Sequence, residues 1–234
     1  MRAFEVATDY WASQFGCPPD ALFSQPMQIV AHSPELADYR GIFALFRDGV
    51  AIISLPSNQF HRHAELLPSG VVSPAGFAGS FEGSGFRVIG PAYIGYAQDV
   101  VAPSHPARAL SRHDGQLAAK LQSACAEIEW DHGGSQVGED TCSGVVIGGD
   151  LVALAGYRDW PFGIAHIYVV THPGFRGQGF GRSAVAHIAN RALVAGLTPQ
   201  YRTLESNRPS LHVAESLGFG QFASSVAIDL GAES

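Results

Sequence analysis

The chain has 234 residues, 46% of them hydrophobic and 15% charged, which is typical of a soluble globular protein and excludes a largely disordered one. Its formal net charge of −7 argues against a general nucleic-acid-binding surface, so no nucleic-acid partner is expected. The chain has no apolar run of about 18 residues, so we expect no membrane span, and its first residues lack the apolar core of a secretory signal.

The cysteines and histidines indicate neither disulfides nor a metal site. Only three cysteines occur, Cys17, Cys125 and Cys142, and they lie far apart in the sequence. Reduced, mostly buried thiols in a cytoplasmic protein are therefore expected. His61 and His63 would face different sides of a helix, and a third ligand is missing. We therefore expect surface histidines there and no bound metal.

The first hundred residues predict both helices and strands. Residues 41–56, GIFALFRDGVAIISLP, predict a hairpin because two apolar runs flank Asp48-Gly49, a strong turn signal. Residues 68–86 are rich in Gly, Pro and Ser and predict a loop. Residues 99–107 contain two prolines and predict a linker. The other predicted elements are helices at 3–15 and 58–67 and strands at 27–32 and 87–97.

The rest of the chain predicts a mixed α/β domain. Ser111 is placed to cap a helix, and residues 141–160 predict a second hairpin that turns at Gly148-Gly149-Asp150. The later elements are a strand at 163–171, a helix at 183–196, a strand at 200–206, a helix at 208–218 and a strand at 224–230. We expect an α+β accessory domain at 1–104 and a second domain at 105–234.

The stretch THPGFRGQGFGRS, residues 171–183, places a glycine-rich loop between a predicted strand and a predicted helix. Its backbone N–H groups and the positive end of the helix dipole favour an anion, most often a phosphate. The P-loop pattern and the G-x-G-x-x-G dinucleotide pattern are both absent. The alternative is a glycine-rich turn without a ligand.

Several motifs in order resemble the GNAT N-acetyltransferase superfamily. Residues 176–181, RGQGFG, match its acyl-CoA pyrophosphate loop, and HIYVVTHPGFRG resembles the strand that leads into this loop. The segments NRPS and LHVAESLGF, residues 207–219, resemble the second half of its CoA site, and ARALSRHD at 107–114 resembles its first strand and helix. The likeness covers residues 105–232. It implies a GNAT fold, which is a central mixed and mostly antiparallel sheet flanked by helices. The accessory domain that precedes it would be a degenerate GNAT-like lobe or an unrelated α+β domain.

The resemblance also implies the cofactor and its contacts. Acetyl-CoA, or another acyl-CoA, would place its pantetheine arm along the backbone of Val169, Val170 and Thr171, whose N–H groups would polarise the thioester carbonyl. The amides of residues 177–182 would hold the pyrophosphate. Asn207 and Ser210 would contact the cofactor, although each also suits the start of a helix. The implied pyrophosphate-loop residues are Arg176, Gly177, Gln178, Gly179, Phe180, Gly181, Arg182 and Ser183.

The implied reaction is attack of a primary amine on the thioester, which needs a base. His166 and Tyr168, on one face of the strand, and Glu205, after the next strand, are the catalytic candidates. The alternatives are core packing for the histidine and a helix cap for Glu205. The tyrosine that often protonates the thiolate in this family is replaced by Ala214. Either the thiolate leaves without a dedicated acid, or Ser210, His212 or Tyr168 substitutes, or catalysis is weak.

The candidates for binding the acceptor amine are Glu129, Asp131 and His132 in the EWDHGG stretch. The alternative is that this stretch is a solvated loop. The sequence therefore predicts a cytoplasmic acyl-CoA-dependent N-acyltransferase that acts on a small-molecule or peptide amine, and it is compatible with a homodimer. The alternative is a non-catalytic acyl-CoA-binding regulatory or sensor protein of the same fold.

Overall fold

The computed structural model describes residues 2–70, 73–137 and 141–231, and these residues form a mixed α+β fold. The helices are α1 (Arg2–Phe15), α2 (Phe60–Ala64), α3 (Pro74–Gly79), α4 (Gly115–Ala124), α5 (Glu127–Gly133), α6 (Phe180–Val194) and α7 (Arg208–Leu217). The strands are β1 (Met27–Ala31), β2 (Gly41–Arg47), β3 (Val50–Leu55), β4 (Arg87–Tyr96), β5 (Arg108–Ala109), β6 (Thr141–Ile147), β7 (Asp150–Trp160), β8 (Ile164–Thr171), β9 (Thr198–Leu204) and β10 (Gly220–Asp229). No helix in the described residues is both long and apolar enough to cross a lipid bilayer.

Both predicted hairpins form, and the turn residues explain them. Asp48 and Gly49 join β2 to β3 with φ of 51° and 79°, and Gly148 and Gly149 join β6 to β7 with φ of 59° and 90°. Two consecutive residues in the left-handed region give the type I′ turn, whose twist matches that of paired antiparallel strands. The turn chemistry therefore sets the register of both hairpins.

The chain folds into two compact units. The first contains Met1–Ile94, Thr203–Asn207 and Gln221–Ser234, and the second contains Gly95–Arg202 and Arg208–Gly220. The C-terminal strand β10 thus belongs mostly to the first unit, together with the N-terminal residues. Within the first unit the strand order is β1-β3-β2-β10-β4, and within the second it is β9-β8-β7-β6-β5.

The core of the first unit lies between α3 and the strands β2, β3 and β10, whose alternate side chains are apolar and face this helix. Phe77 of α3 is fully buried and packs against Phe46 and Phe81 at ring-centroid distances of 5.4 and 5.3 Å. Burying an aromatic ring of this size contributes a large share of the apolar stabilisation of a small core. The buried members of this cluster are Ile42, Ala44, Phe46, Ala51, Ile53, Leu55, Phe77, Phe81, Val226 and Ile228.

The second unit buries both faces of its strands. Val170 of β8 packs with Leu121 of α4 and Leu154 of β7 on one face. Helix α6 covers the other face, against β6, β7 and β8, and its inward side chains are small, including the fully buried Ala184 and Ala186. The small residues let the helix lie close to the sheet, so that its first turn meets the end of β8.

Several predicted elements differ from the observed ones. The helix predicted at 58–67 is only α2, and His63 is buried, so the surface position expected for it was wrong. The predicted loop at 68–86 contains α3, because Ser73 caps the helix by accepting a hydrogen bond from the Gly76 N–H at 3.1 Å and Pro74 occupies its first turn. Most of the EWDHGG stretch lies in α5, so the solvated loop that was the alternative for it does not form.

Candidate functional site

The strand before the glycine loop loses one of its two neighbours part of the way along. Strand β8 pairs with β7 in antiparallel register from Ile164 to Thr171. Among the residues described, its parallel pairing with β9 covers only Ile164 to Ile167 and ends at the pair Ile167–Tyr201. The edge of β8 from Tyr168 to Thr171 is therefore not paired by β9, and we call this edge the strand gap.

The hydrogen-bond alternation shows which backbone groups face the strand gap. The His172 N–H donates to the Val152 carbonyl at 2.9 Å, so even-numbered residues of β8 direct their backbone groups toward β7. Val169 and Thr171 consequently direct theirs to the other side. The Thr171 carbonyl accepts from the Arg176 Nε at 3.2 Å. Of the three residues predicted to hold a pantetheine arm, Val169 and Thr171 present N–H groups to the gap and Val170 does not.

The loop after β8 presents a continuous row of backbone donors. Among the described residues, none accepts a hydrogen bond from the backbone N–H groups of residues 177–182. Gly177 and Gly179 have φ of 75° and 82°, a left-handed conformation that L residues adopt at a cost. A Cβ built on Gly177 meets no atom within 4 Å, so the loop is open on that side. The row ends in the first turn of α6, where the helix dipole adds positive potential.

Close packing joins the loop to the end of β8. A Cβ on Gly181 would lie 2.5 Å from the Thr171 Oγ1, so a larger residue there would force the Thr171 side chain to shift. Ser183 is buried, and its Oγ accepts from the His105 backbone N–H at 3.0 Å. The His105 Nε2 is 2.9 Å from the Gln178 carbonyl. The buried hydroxyl therefore fixes the residues around the loop rather than pointing out of it.

Both arginines of the loop already have protein partners. The Arg176 guanidinium donates to the Glu129 carboxylate at 2.9 Å, with side chains 47% and 40% exposed, and this hydrogen bond is the main reason that the pKa of Glu129 is lowered. The Arg182 guanidinium donates to the Oγ and the carbonyl of Ser216 at 3.0 and 3.1 Å. Glu129 therefore offsets part of the charge of Arg176, whereas Arg182 bonds only to neutral groups and adds its charge to the positive potential of the amides and the helix dipole.

The three residues predicted for the acceptor side lie on α5. Glu129, besides its ion pair, accepts from the Ala126 N–H at 3.2 Å and so caps its own helix. The Nδ1 of His132 is 2.8 Å from the Ile128 carbonyl, while Asp131 is exposed. A Cβ on Gly133 would collide with the Val169 carbonyl, so α5 lies directly against β8 at the strand gap.

His166 lies one residue before the end of the β8–β9 pairing, in a defined tautomer. The Gln200 Nε2 donates to the Tyr96 hydroxyl at 2.5 Å, which leaves the Gln200 Oε1 to accept from the His166 Nδ1 at 2.8 Å. The lone pair is therefore on Nε2. Trp160 stacks on the imidazole at 4.1 Å.

Burial is the main reason that the pKa of His166 is lowered to about 4. The charges of Arg202 and Arg158 lower the pKa further, and the hydrogen bond to Gln200 raises it. The ring is therefore neutral at neutral pH, held by one hydrogen bond and one stacking contact.

The other predicted catalytic and cofactor residues are distributed over the two units. The Tyr168 hydroxyl is 3.1 Å from the Ser135 Oγ, which in turn is 2.8 Å from the Cys142 Sγ, within a buried cluster. Glu205 and Asn207 belong to the first unit, where the Glu205 carboxylate accepts from the Ser224 Oγ at 2.5 Å. Their predicted roles stay predictions.

Two polar pairs of the second unit were missed by sequence reasoning. Gln200 orients His166, and the Tyr201 hydroxyl lies 2.9 Å from the Ser210 Oγ. The partners are 34 residues apart in the first pair and 9 in the second, and neither pair has a motif spacing. The only available signal was that one member of each pair, Gln200 or Tyr201, lies in the strand TPQYRTL, which is otherwise apolar where it is buried.

Part of the chain is similar to known proteins. The model of the acetyltransferase (GNAT) family matches residues 108–219. No curated protein matched the chain.

Three solved structures were similar in fold. A GNAT-family protein from Novosphingobium aromaticivorans is 27% identical, with a TM-score of 0.46 over 62% of this chain and 66% of its own. A GNAT-family acetyltransferase from Colwellia psychrerythraea is 14% identical, with a TM-score of 0.49 over 61% of this chain and 56% of its own. A GCN5-related N-acetyltransferase-like protein from Streptococcus suis is 18% identical, with a TM-score of 0.47 over 75% of this chain and 70% of its own. The match thus spans less than two thirds of the first two proteins. The match to the acetyltransferase (GNAT) family is thus confined to residues 108–219, slightly under half of this chain.

Proposed function

We propose that the chain is an acyl-CoA-dependent N-acyltransferase that transfers an acetyl group from acetyl-CoA to a primary amine. GNAT acetyltransferases use acetyl-CoA. The observation that carries the proposal is the row of backbone N–H groups at residues 177–182, which have no acceptor among the described residues and adjoin the strand gap.

The residues fit the chemistry of CoA at both ends of its phosphopantetheine arm. Amides in series at a helix start suit a diphosphate, whose oxygens accept several hydrogen bonds. From Thr171, which Gly181 contacts, the strand gap runs back to Ile167 over four residues, or roughly 13 Å at about 3.3 Å per residue. An extended pantetheine arm needs a groove of this order, with N–H groups like those of Val169 and Thr171 along it.

Acyl-CoA supplies an acyl group that is activated as a thioester. In the proposed reaction the Val169 N–H donates a hydrogen bond to the thioester oxygen as negative charge develops there. The His166 Nε2 takes the proton of the attacking amine as the new C–N bond forms and the C–S bond breaks. With a pKa of about 4 the imidazole is unprotonated throughout the neutral range but is a weak base, so the proton that it takes from the amine passes on to solvent.

The proposed acceptor lies beside α5. The net charge of −7 favours cationic acceptors in general, and the exposed Asp131 and His132 provide polar groups on this helix. Glu129 contributes only if the amine displaces Arg176 from its carboxylate. Primary amines on small molecules or peptides meet this description.

One observation favours a second candidate, a non-catalytic acyl-CoA sensor. Ala214 is fully buried where a hydroxyl for the departing thiolate is expected, so the chain lacks that acid. A sensor would bind acyl-CoA through the same amides without transferring the acyl group.

The test begins with calorimetric titration of the chain with CoA and acetyl-CoA. Gln178→Glu places a negative charge on the exposed loop, and repulsion of a diphosphate a few ångströms away costs about 1 kcal/mol or more, so the Kd should rise about fivefold or more. The matched control is Gln122→Glu on the exposed side of α4, which makes the same charge change and should leave the Kd within about twofold.

Turnover separates the two candidates. Release of the CoA thiol from acetyl-CoA across a panel of primary amines indicates the transferase. Binding without release across the panel indicates the sensor, and absence of binding refutes both.

A further inference from the structure

We propose that the acceptor amine also carries a carboxylate, as an amino acid does, and that Arg158 and Arg202 bind this carboxylate beside His166. The inference rests on the proposed function, because it names the class of acceptor for the same site. No motif of the sequence includes either arginine, and it is the pairing of the strands that brings both to the site.

The sheet pairing places the two arginines on either side of His166. Strand β7 sets Arg158 directly opposite His166, and strand β9 sets Gln200 opposite it on the other side. Paired residues project their side chains to the same face of a sheet, and side chains alternate along each strand. Arg202, two residues after Gln200 on β9, therefore shares that face. Two cationic side chains from different strands thus flank the imidazole, and the charges of both act on it.

Aromatic rings hold both guanidinium groups close to the imidazole. The Arg158 Cζ lies 5.4 Å from the centre of the Tyr168 ring. The Arg202 Cζ lies 6.0 Å from the centre of the Trp160 ring, which itself stacks on His166 at 4.1 Å. Tyr168 is the first residue of the strand gap, so Arg158 lies at the end of this gap that is farthest from the glycine loop. A ring carries no net charge, so these contacts position the guanidinium groups without neutralising them.

Among the described residues, no carboxylate forms an ion pair with Arg158, which is exposed to solvent. Its acidic neighbour Asp159 projects to the opposite face of β7, because side chains alternate along the strand. Arg176 of the glycine loop, by contrast, is paired with Glu129. Arg158 is therefore placed to bind an anion that comes from outside the chain.

A carboxylate suits this position better than an uncharged or cationic group. A planar guanidinium donates two parallel hydrogen bonds to the two oxygens of a carboxylate, and a second cation strengthens the attraction. The net charge of −7 attracts the ammonium group of an amino acid to the chain as a whole, whereas the two arginines select its carboxylate locally. The acceptor that fits is a zwitterion, with its amine near His166 and its carboxylate toward Arg158 and Arg202.

A bound carboxylate also assists the base. It fixes the amine of the same molecule near the His166 Nε2, which removes much of the entropy cost of bringing the two groups together. Its negative charge offsets the two arginine charges that lower the pKa of His166, so the imidazole becomes a stronger base when the acceptor binds. The carboxylate makes no covalent bond. The amine nitrogen forms the C–N bond, the electron pair of the C–S bond leaves on sulfur, and the amine proton passes through His166 to solvent, from which the thiolate takes one.

The experiment compares amino acids with their amides as acceptors. An amide keeps the amine and the side chain but has no negative charge. With acetyl-CoA and the wild-type chain, we expect CoA thiol release with a kcat/KM about 30-fold higher for the preferred amino acid than for its amide. Arg158→Gln should raise the KM for the amino acid about tenfold and leave that for the amide within about twofold. Arg158→Lys keeps the charge but not the planar pair of donors, so its KM should lie between those of the wild type and Arg158→Gln.

Arg112→Gln is the matched control, because Arg112 is also an exposed arginine of the second unit with no ion pair among the described residues. It should leave the KM for the amino acid within about twofold. Thermal melting shows that each variant folds, and calorimetric titration with CoA shows that each binds the cofactor. If amino acids and their amides are acetylated equally well, or if Arg158→Gln affects both alike, the inference is refuted while the proposed function stands.

Binding of the acceptor decides the inference even without turnover. Calorimetric titration of the CoA complex with the same amino acids should give a Kd that Arg158→Gln raises about tenfold. Such binding without thiol release would support the carboxylate site and refute the proposed transfer. If no amino acid binds, the inference is refuted. If the chain binds no CoA, the proposed function and the inference are both refuted.

Discussion

Lowering the pH should destabilise the second unit through His166, because its neutral form is the one that the fold holds. The pKa of this imidazole is lowered to about 4 in the folded chain, and its ordinary value in an unfolded chain is 6.5. Below pH 6.5 the unfolded chain binds a proton that the native chain refuses. The stability contributed by neutral His166 is therefore fully present above pH 6.5 and is lost as the pH falls toward 4.

The magnitude follows from the difference between the two pKa values. A shift of about 2.5 units at about 1.4 kcal/mol per unit gives a loss of about 3 kcal/mol in the free energy of unfolding between pH 6.5 and pH 4. This is a large fraction of the stability of an ordinary domain, which is about 5–15 kcal/mol. Burial lowers the pKa of His32 and His187 as well, so the wild-type slope alone does not isolate His166.

The assay is urea unfolding at half-unit steps from pH 7.5 to pH 4.5, monitored by the fluorescence of the tryptophans, for the wild type and His166→Gln. Glutamine keeps a donor for the Gln200 Oε1 and does not titrate, so the variant should lack about 3 kcal/mol of the pH dependence. Trp160, stacked on the ring at 4.1 Å, should also change its emission with His166 protonation in the wild type only. Equal pH slopes for the two proteins would refute the burial argument for His166.

Three further substitutions test individual contacts. Glu129→Gln removes the carboxylate that engages Arg176, so the calorimetric Kd for CoA should fall about two- to fivefold. A higher or unchanged Kd would mean that Arg176 plays no part in CoA binding. Gly181→Ala forces a Cβ against the Thr171 Oγ1 and should lower the free energy of unfolding by about 1–3 kcal/mol. Adding Thr171→Ala to this variant should restore most of the lost free energy. Additive losses from the two substitutions in urea unfolding would refute the clash. Asp114→Asn removes half of an ion pair and the cap of the first helical turn, which should cost about 1–2 kcal/mol in urea unfolding at pH 7 and progressively less as the pH falls toward the Asp114 pKa of about 2; a loss that does not change with pH would contradict it.

Local chemistry made much of the fold predictable. The Asp48-Gly49 and Gly148-Gly149 turns have few backbone alternatives between apolar runs, and both form as expected. The glycine-rich loop likewise lies between β8 and α6, because glycine and a helix start are visible in the sequence itself. These features depend on residues that are neighbours along the chain.

Contacts between distant residues were out of reach. The Glu129–Arg176 ion pair joins positions 47 residues apart, and no local pattern indicates which carboxylate an exposed arginine will find. The orientation of His166 depends on Gln200, which the parallel pairing of β8 and β9 brings opposite it. Helix α3 was missed because its glycines and proline resemble a loop, while the burial of Phe77 outweighs their poor helix propensity.

A crystal structure of the chain with CoA tests most directly whether the backbone amides of residues 177–182 bind the diphosphate. We expect diphosphate oxygens within about 2.7–3.2 Å of two or more backbone nitrogens of residues 177–182, with the pantetheine arm beside Val169 and Thr171. A diphosphate bound elsewhere at saturating CoA, or those nitrogens bonded to the protein's own acceptors, would contradict it.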